Sequence, residues 1–272
     1  MVPSGDSIAT FSVVVLDDVR IESAETVIIY ASNSSSPLYR IGKSQGQALI
    51  LDNDTLNGAG LVPGAVFWLR ADDSTSTTVN GAGVNTWNDI SGNGNNATAV
   101  GSQPLYADVV ANFNPAIDFF STSGGYIMAD KTEINLGISG AKVLVMAFRT
   151  DSDINTLQTI YEEGGSVNGI NLYIESGFLK MNWWTNAGEF DGATSIAANE
   201  LYFVSFHYNG YSNRWDFYIN GDLKLSRTGL PATLPAHSGD IGIGSIQNDT
   251  QFDGDRDIAS GTTFLGDIME GI

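Results

Sequence analysis

The chain has 272 residues, 31 acidic against 12 basic, and a formal net charge of −19. That surplus repels phosphate backbones and anionic bilayers, which argues against nucleic acid or a membrane surface as a partner. No cysteine is present, so disulfides, thiol catalysis and thiolate metal sites are excluded; 272 residues bury a core that needs no covalent staple. The longest apolar run, residues 143–148, is far shorter than the ~20 residues that span a bilayer. The N-terminus shows no basic segment followed by an apolar one, so no signal peptide is expected in this stretch.

In chain order, residues 8–16, 25–31 and 47–51 alternate apolar with polar side chains between polar turns and read as three strands. Residues 55–64 form a short Gly-containing linker. Two short apolar strands follow, 66–72 and 115–119, on either side of the stretch WNDISGNGNNA at 87–97. Asn, Ser and Gly in such density favour turns over helix, because the side chains bond their own backbone, so the stretch is an ordered loop hung from a buried Trp87. Strands are expected at 142–150, 158–162, 169–175, 178–185, 201–209 and 214–220, with a closing strand at 263–269 and one helical turn at 131–136. Ser176-Gly177 and Asn220-Gly221 are hairpin turns, since glycine tolerates the positive φ those turns demand. Many strands at regular spacing indicate an all-β chain of two packed antiparallel sheets.

The succession FWLRADD (67–73), VNTWNDISGNGNNA (84–97), NPAIDF (114–119) and FLGDIMEG (264–271) resembles the laminin-G-like members of the concanavalin A-like lectin superfamily. The resemblance covers residues 61–272 and implies an antiparallel two-sheet jelly-roll sandwich for residues 57–272. Residues 1–56 resemble the C-terminal half of a Calx-beta domain: Val13-Val14-Val15-Leu16-Asp17-Asp18, Glu22, Glu25-Thr26 and Ile50-Leu51-Asp52-Asn53-Asp54 match its motifs. Both ends are expected to be cut from a longer chain. The pairing implies a module of a large bacterial surface adhesin, secreted or held at the cell surface beside neighbouring modules.

Carboxylates gathered on loops repel one another unless a cation sits among them, and calcium, which takes six to eight oxygens, is the natural occupant. The Calx-beta resemblance implies Asp17, Asp18, Glu22, Asp52, Asn53 and Asp54 as calcium ligands. A second set, Asp249, Asp253, Asp255 and Asp257, alternates around a glycine and is expected to wrap one cation, although it lacks the glutamate and spacing of an EF-hand. The loop 89–96 with Asp72 or Asp73 offers a third set of oxygens, equally readable as a turn knitted by its own Asn and Ser side chains.

Trp183 and Trp184 are adjacent in a strand and point to opposite faces. One is expected in the core and Trp184 outside, where with Asn182, Asn186, Glu189, Asp191 and Tyr211 it would form a glycan platform of one stacking ring among amides and carboxylates. Glu189-Phe190-Asp191 imitates the start of a glucanase catalytic strand, but Gly192-Ala193-Thr194 follows where a further acid is needed. His207 in a strand and His237 in a Pro-flanked loop suggest neither a zinc nor a hydrolase triad. The expected function is a non-enzymatic, calcium-dependent module binding carbohydrate or a protein ligand. A spacer without ligand and, further off, a glycoside hydrolase or polysaccharide lyase are the alternatives.

Overall fold

The structure, a computed structural model, describes residues 25–30, 45–50 and 62–272, apart from 63, 112, 121–123, 187, 248, 255 and 259–260. The chain divides into two compact units, Met1–Pro63 and Gly64–Ile272. In the first, β1 (Glu25–Tyr30) pairs antiparallel with β2 (Gln45–Ile50), Glu25 opposite Ile50 and Tyr30 opposite Gln45. The expected strand at 8–16 lies outside the described residues, as do Asp17, Asp18, Glu22, Asp52, Asn53 and Asp54.

The second unit begins with β3 (Leu69–Arg70), β4 (Thr86–Trp87), β5 (Ala97–Val100), β6 (Leu105–Ala111), β7 (Asn114–Phe119) and β8 (Gly125–Met128). It continues with β9 (Ala141–Thr150), β10 (Gln158–Gly164), β11 (Gly169–Glu175), β12 (Phe178–Thr185), β13 (Gly188–Glu189) and β14 (Gly192–Ser195). The remaining strands are β15 (Leu201–Asn209), β16 (Arg214–Ile219), β17 (Asp222–Thr228), β18 (Ile241–Ile243), β19 (Thr250–Phe252), β20 (Arg256–Ile258) and β21 (Gly266–Gly271). A nine-stranded sheet runs β13-β12-β11-β10-β18-β8-β5-β4, with β14 also on β12, and an eight-stranded sheet runs β17-β16-β15-β9-β21-β7-β6, with β3 on β21. Their facing sides form one core, and the architecture is the expected all-β jelly-roll sandwich.

The strands form where alternation and turn chemistry agree. In β16, Trp215, Phe217 and Ile219 are buried and their neighbours half-exposed, the period-2 signature of a sheet with one wet face. Ser176-Gly177 and Asn220-Gly221 have φ of 54°, 81° and 52°, 84°, the paired left-handed values of a type I′ hairpin turn. The strand expected at 66–72 shortens to two residues because the Trp68 N–H donates to the Asp89 side chain at 2.8 Å instead of to a neighbouring strand. The closing strand starts at Gly266, three residues later than its composition suggests. The helical turn at Thr132–Leu136 is wide, with the N–H groups of Ile134, Asn135 and Leu136 all converging on the Lys131 carbonyl.

Trp87 is fully buried and meets Tyr126 edge-on at 5.8 Å. Behind it Asp89 organises the loop: Oδ1 accepts the N–H groups of Trp68 and Ser91, both at 2.8 Å, and Oδ2 accepts the Ser91 hydroxyl at 2.8 Å and the Asn95 N–H at 2.9 Å. Asn93 and Asn95 each donate an amide to the Val66 carbonyl. Four donors engage both carboxylate oxygens, the pattern of a turn knitted by its own side chains. Truncating its anchor, Trp87→Ala, is expected to cost about 3–5 kcal/mol through lost contacts and an unfilled cavity, read as a drop in the urea midpoint of the main transition; an unchanged midpoint would contradict the anchor role.

Candidate ligand-binding site

Trp183 and Trp184 do face opposite ways. Trp183 enters the core against Tyr208 and Phe190, at 4.8 and 5.3 Å between rings. Trp184 points outward, yet it is only 1% exposed. Its indole N–H donates to the Gly165 carbonyl at 2.8 Å, and its ring lies over Gly169, where a β-carbon would stand 2.4 Å from it. Trp184 therefore seals a loop onto the sheet and offers no stacking surface, which corrects the expected platform.

The cover comes from the chain between Ile246 and Ile258, folded back over the outer face of β11 and β12. Phe252 packs edge-on against Tyr173 at 4.8 Å, the Tyr173 hydroxyl accepts the Asp253 N–H at 3.1 Å, and Arg256 forks onto Glu175 with two bonds of 2.9 Å. Asn182 is buried; its amide donates to Glu189 Oε1 at 2.6 Å and to the Gln251 carbonyl at 3.1 Å, while Glu189 Oε2 accepts the Gly254 N–H at 3.3 Å. Asp191 is half-buried, Asn186 is exposed beyond the end of β12, and Tyr211 is 97% exposed at the tip of the β15–β16 hairpin. These residues share no single face.

The same fold-back spreads two members of the second acidic set along a strand. Asp249 and Asp253 flank β19 and stand about 13 Å apart along the chain at ~3.3 Å per residue. Asp253 pairs with Lys180 at 3.3 Å. Asp255 and the side chain of Asp257 lie outside the described residues. Among the described residues, no three acidic, imidazole or thiol side chains are grouped so as to hold a metal ion.

What the structure does bring together lies at the end of the sandwich where β10 meets β11 and β18 begins. A cleft of about 370 Å³ opens between the loop 165–168, the segment 236–239 and Asp249. Ser166, Asn168, Ser238 and Asp249 line it, and no other described residue engages their side chains. Val167 stands on the rim, 51% exposed. One wall is fixed by Asp130, whose carboxylate accepts the Asp240 N–H at 2.9 Å, the Gly239 N–H at 3.3 Å and the Asn135 amide at 2.5 Å. The cleft thus offers two hydroxyls, an amide and a carboxylate on a rigid frame, a set that hydrogen-bonds hydroxyl-rich ligands. Ser166, Asn168 and Ser238 carry no motif in the sequence; Ser166 and Asn168 fall between the strands expected at 158–162 and 169–175.

Behind the cleft two adjacent glutamates meet opposite fates. Glu163 points between the sheets and is fully buried; Lys142 from the facing sheet donates to it, Tyr161 donates its hydroxyl at 2.7 Å, and His237 Nε2 lies 3.2 Å away. Burial pushes its carboxyl up, but Lys142 and His237 outweigh that and hold it at about 2. His237 also directs Nδ1 at the Pro235 carbonyl, 2.8 Å away. Glu162 points to the outer face, opposite Asn171, which is opposite Asn182. Glu162 Oε1 accepts the Gln247 N–H at 2.9 Å, but Glu162 Oε2, Asn171 Oδ1 and Asn182 Oδ1 are buried without a hydrogen-bond partner among the described residues. Burial, then the charge of Glu163, drives the Glu162 carboxyl well above its ordinary range.

The two substitutions should therefore diverge. A depressed acid stabilises the fold above its unfolded value and loses that as pH falls, so Glu163 stability is present above about 4.5 and lost toward about 2. Glu163→Gln leaves Lys142 buried without its counter-charge and should cost about 3–5 kcal/mol at pH 7. Glu162 has the opposite sign, its contribution being present at low pH and lost as pH rises through its elevated value. Glu162→Gln removes that penalty and supplies a donor toward Asn171, so its melting temperature should exceed the parent's at pH 7 and not at pH 4. Calorimetry across pH 3–8 checks both, and equal pH profiles for the two variants would refute the assignment.

Residues 122–258, half of the chain, match the laminin-G-like family described as the concanavalin A-like lectin/glucanases superfamily. No curated protein matches the chain. Among solved structures, the chain is similar to the CBM40 of the Ruminococcus gnavus IT-sialidase, with 13% identity and a TM-score of 0.44 over 58% of this chain and 86% of that one. It is also similar to botulinum neurotoxin type C from a study of its interaction with two ganglioside molecules, with 16% identity and a TM-score of 0.52 over 75% of this chain and 47% of that one. The binding domain of botulinum neurotoxin DC, solved with rat synaptotagmin II, gives 18% identity and a TM-score of 0.50 over 65% and 43%. The chain spans less than half the length of these toxin structures, and the likeness is one of fold. The match over residues 122–258 places this chain in the laminin-G-like family of the concanavalin A-like lectin/glucanases superfamily.

Proposed function

We propose that this chain is a non-catalytic glycan-binding module of a bacterial surface or secreted protein, with its ligand held in the cleft between residues 165–168, 236–239 and Asp249. The observation that carries this reading is the contrast between the cleft and the surrounding polar residues. Asp89, Asp130, Glu163, Glu175 and Glu189 are all engaged by neighbours, whereas the side chains of Ser166, Asn168, Ser238 and Asp249 have no hydrogen-bond partner among the described residues. Folds of this kind in the botulinum neurotoxins engage gangliosides or synaptotagmin, which supports a ligand-binding role over a spacer. A catalytic role is disfavoured because Glu189 is tied to Asn182 and Gly254 beneath the covering hairpin, and glycosidases need two carboxylates converging on an open site. Calcium belongs in this proposal with the Calx-beta-like set Asp17, Asp18, Glu22, Asp52, Asn53 and Asp54, where it would stiffen the first unit.

A glycan array probed with the 272-residue chain tests the reading. Retained glycans should bind in the micromolar to millimolar range, and Asn168→Ala or Asp249→Ala should each weaken them about tenfold, the effect of one lost polar contact worth ~1.4 kcal/mol. Binding unchanged in both variants would remove the cleft from consideration, and reducing-sugar release abolished by Glu189→Gln would overturn the non-catalytic role. Chelator should lower the melting temperature by mass action; identical midpoints at matched ionic strength would remove calcium.

A further inference from the structure

The cleft also constrains the charge of its ligand. We infer that it selects neutral, hydroxyl-bearing sugars and discriminates against glycans carrying carboxylate or sulfate groups. This rests on the glycan reading above and sharpens it.

Three features converge. First, Asp249 is exposed at the mouth with no cation beside it among the described residues. A carboxylate only accepts hydrogen bonds, so its ligand must present donors, and the paired hydroxyls of a neutral pyranose do so while an anionic group does not. Second, the one lining side chain able to carry positive charge, His237, has both ring nitrogens directed at protein oxygens, Glu163 Oε1 at 3.2 Å and the Pro235 carbonyl at 2.8 Å. Lys142 is likewise turned away, donating to Glu163 and to the Ile134 carbonyl at 2.9 Å. Third, the wall is backed by Asp130 and Asp240, each accepting N–H groups from the other's segment, and the whole chain carries a net charge of −19. Sites that bind carboxylates and sulfates characteristically use an Arg fork or a Lys, and the cleft lining contains neither.

The amide of Asn168 and the hydroxyls of Ser166 and Ser238 complete a set that gives and takes hydrogen bonds without requiring ligand charge. The flat rim at Val167 can contact a ring face. A sugar acid placed in this cleft would set its own charge against Asp249 at short range, where water screens incompletely.

The experiment pairs neutral with acidic probes on the 272-residue chain: an array in which each neutral oligosaccharide has a sialylated, uronate or sulfated counterpart, followed by calorimetric titration of the best pair. The neutral member should bind at least tenfold more tightly at 50 mM salt, and Asp249→Asn should narrow that gap by raising affinity for the acidic member. Tighter binding of the acidic members, or a gap that persists unchanged in Asp249→Asn, overturns the inference while leaving the glycan reading intact. Absence of binding to either class overturns both. Equal melting temperatures for parent and Asp249→Asn confirm that the exposed substitution leaves the fold unaltered.

Discussion

The central strands of the nine-stranded sheet are covered on both faces, and most of this molecule's particular features follow from that. Every residue of β10 is buried, and so are six of the seven in β11. A strand packed only on its core side can leave alternate polar residues in water. Here the outward residues are enclosed by the chain between Ile246 and Ile258, so each polar group among them must find a partner or be left costly and alone. Trp184, Asn182, Asn171, Tyr173, Glu175 and Glu189 find theirs in the covering segment or the loop at 165–168. The groups that would have made an open sugar platform hold the hairpin down instead.

Double coverage also separates Glu162 from Glu163. The two differ by one residue and therefore by one face of the sheet. On the inner face Glu163 meets Lys142 from the opposing sheet together with His237 and Tyr161, a cluster that ties both sheets to the segment forming one wall of the cleft. On the outer face Glu162 meets the Gln247 N–H and lies opposite Asn171 on the next strand. Identical side chains thus become an ion-pair hub and a carboxyl driven toward neutrality, the outcome decided by partners that arrive from elsewhere in the chain.

The cleft lies where this internal satisfaction stops. Its frame is held by Asp130 below and by Trp184 and Glu163 behind, all groups with their bonds made. A rigid frame presenting free polar side chains positions a ligand at small entropic cost, since only the ligand must be ordered. Such a site suits shallow recognition, with avidity added when modules of this kind repeat on one surface.

The sequence alone determined the class of fold, the family and the position of the long central strands, because period-2 alternation, Asn-Gly and Ser-Gly turns and the buried Trp87 are local signals that tertiary context reinforces; short strands such as β5, β8 and β18 carry too few residues to show a period. The bounds of β11, β12 and β15 were legible to the residue. The site was not. Alternation places Trp184 opposite Trp183, but only the fold-back of residues 246–258 and the loop at 165–168 decide that both faces are dry. Spacing puts four aspartates within nine residues of one another, yet β19 carries Asp249 to the cleft and Asp253 to Lys180, because an extended strand pulls carboxylates apart where a loop would gather them. Ser166, Asn168, Ser238 and His237 lie up to 72 residues apart in sequence and carry no shared pattern; they become neighbours only through the antiparallel pairing of β10 with both β11 and β18.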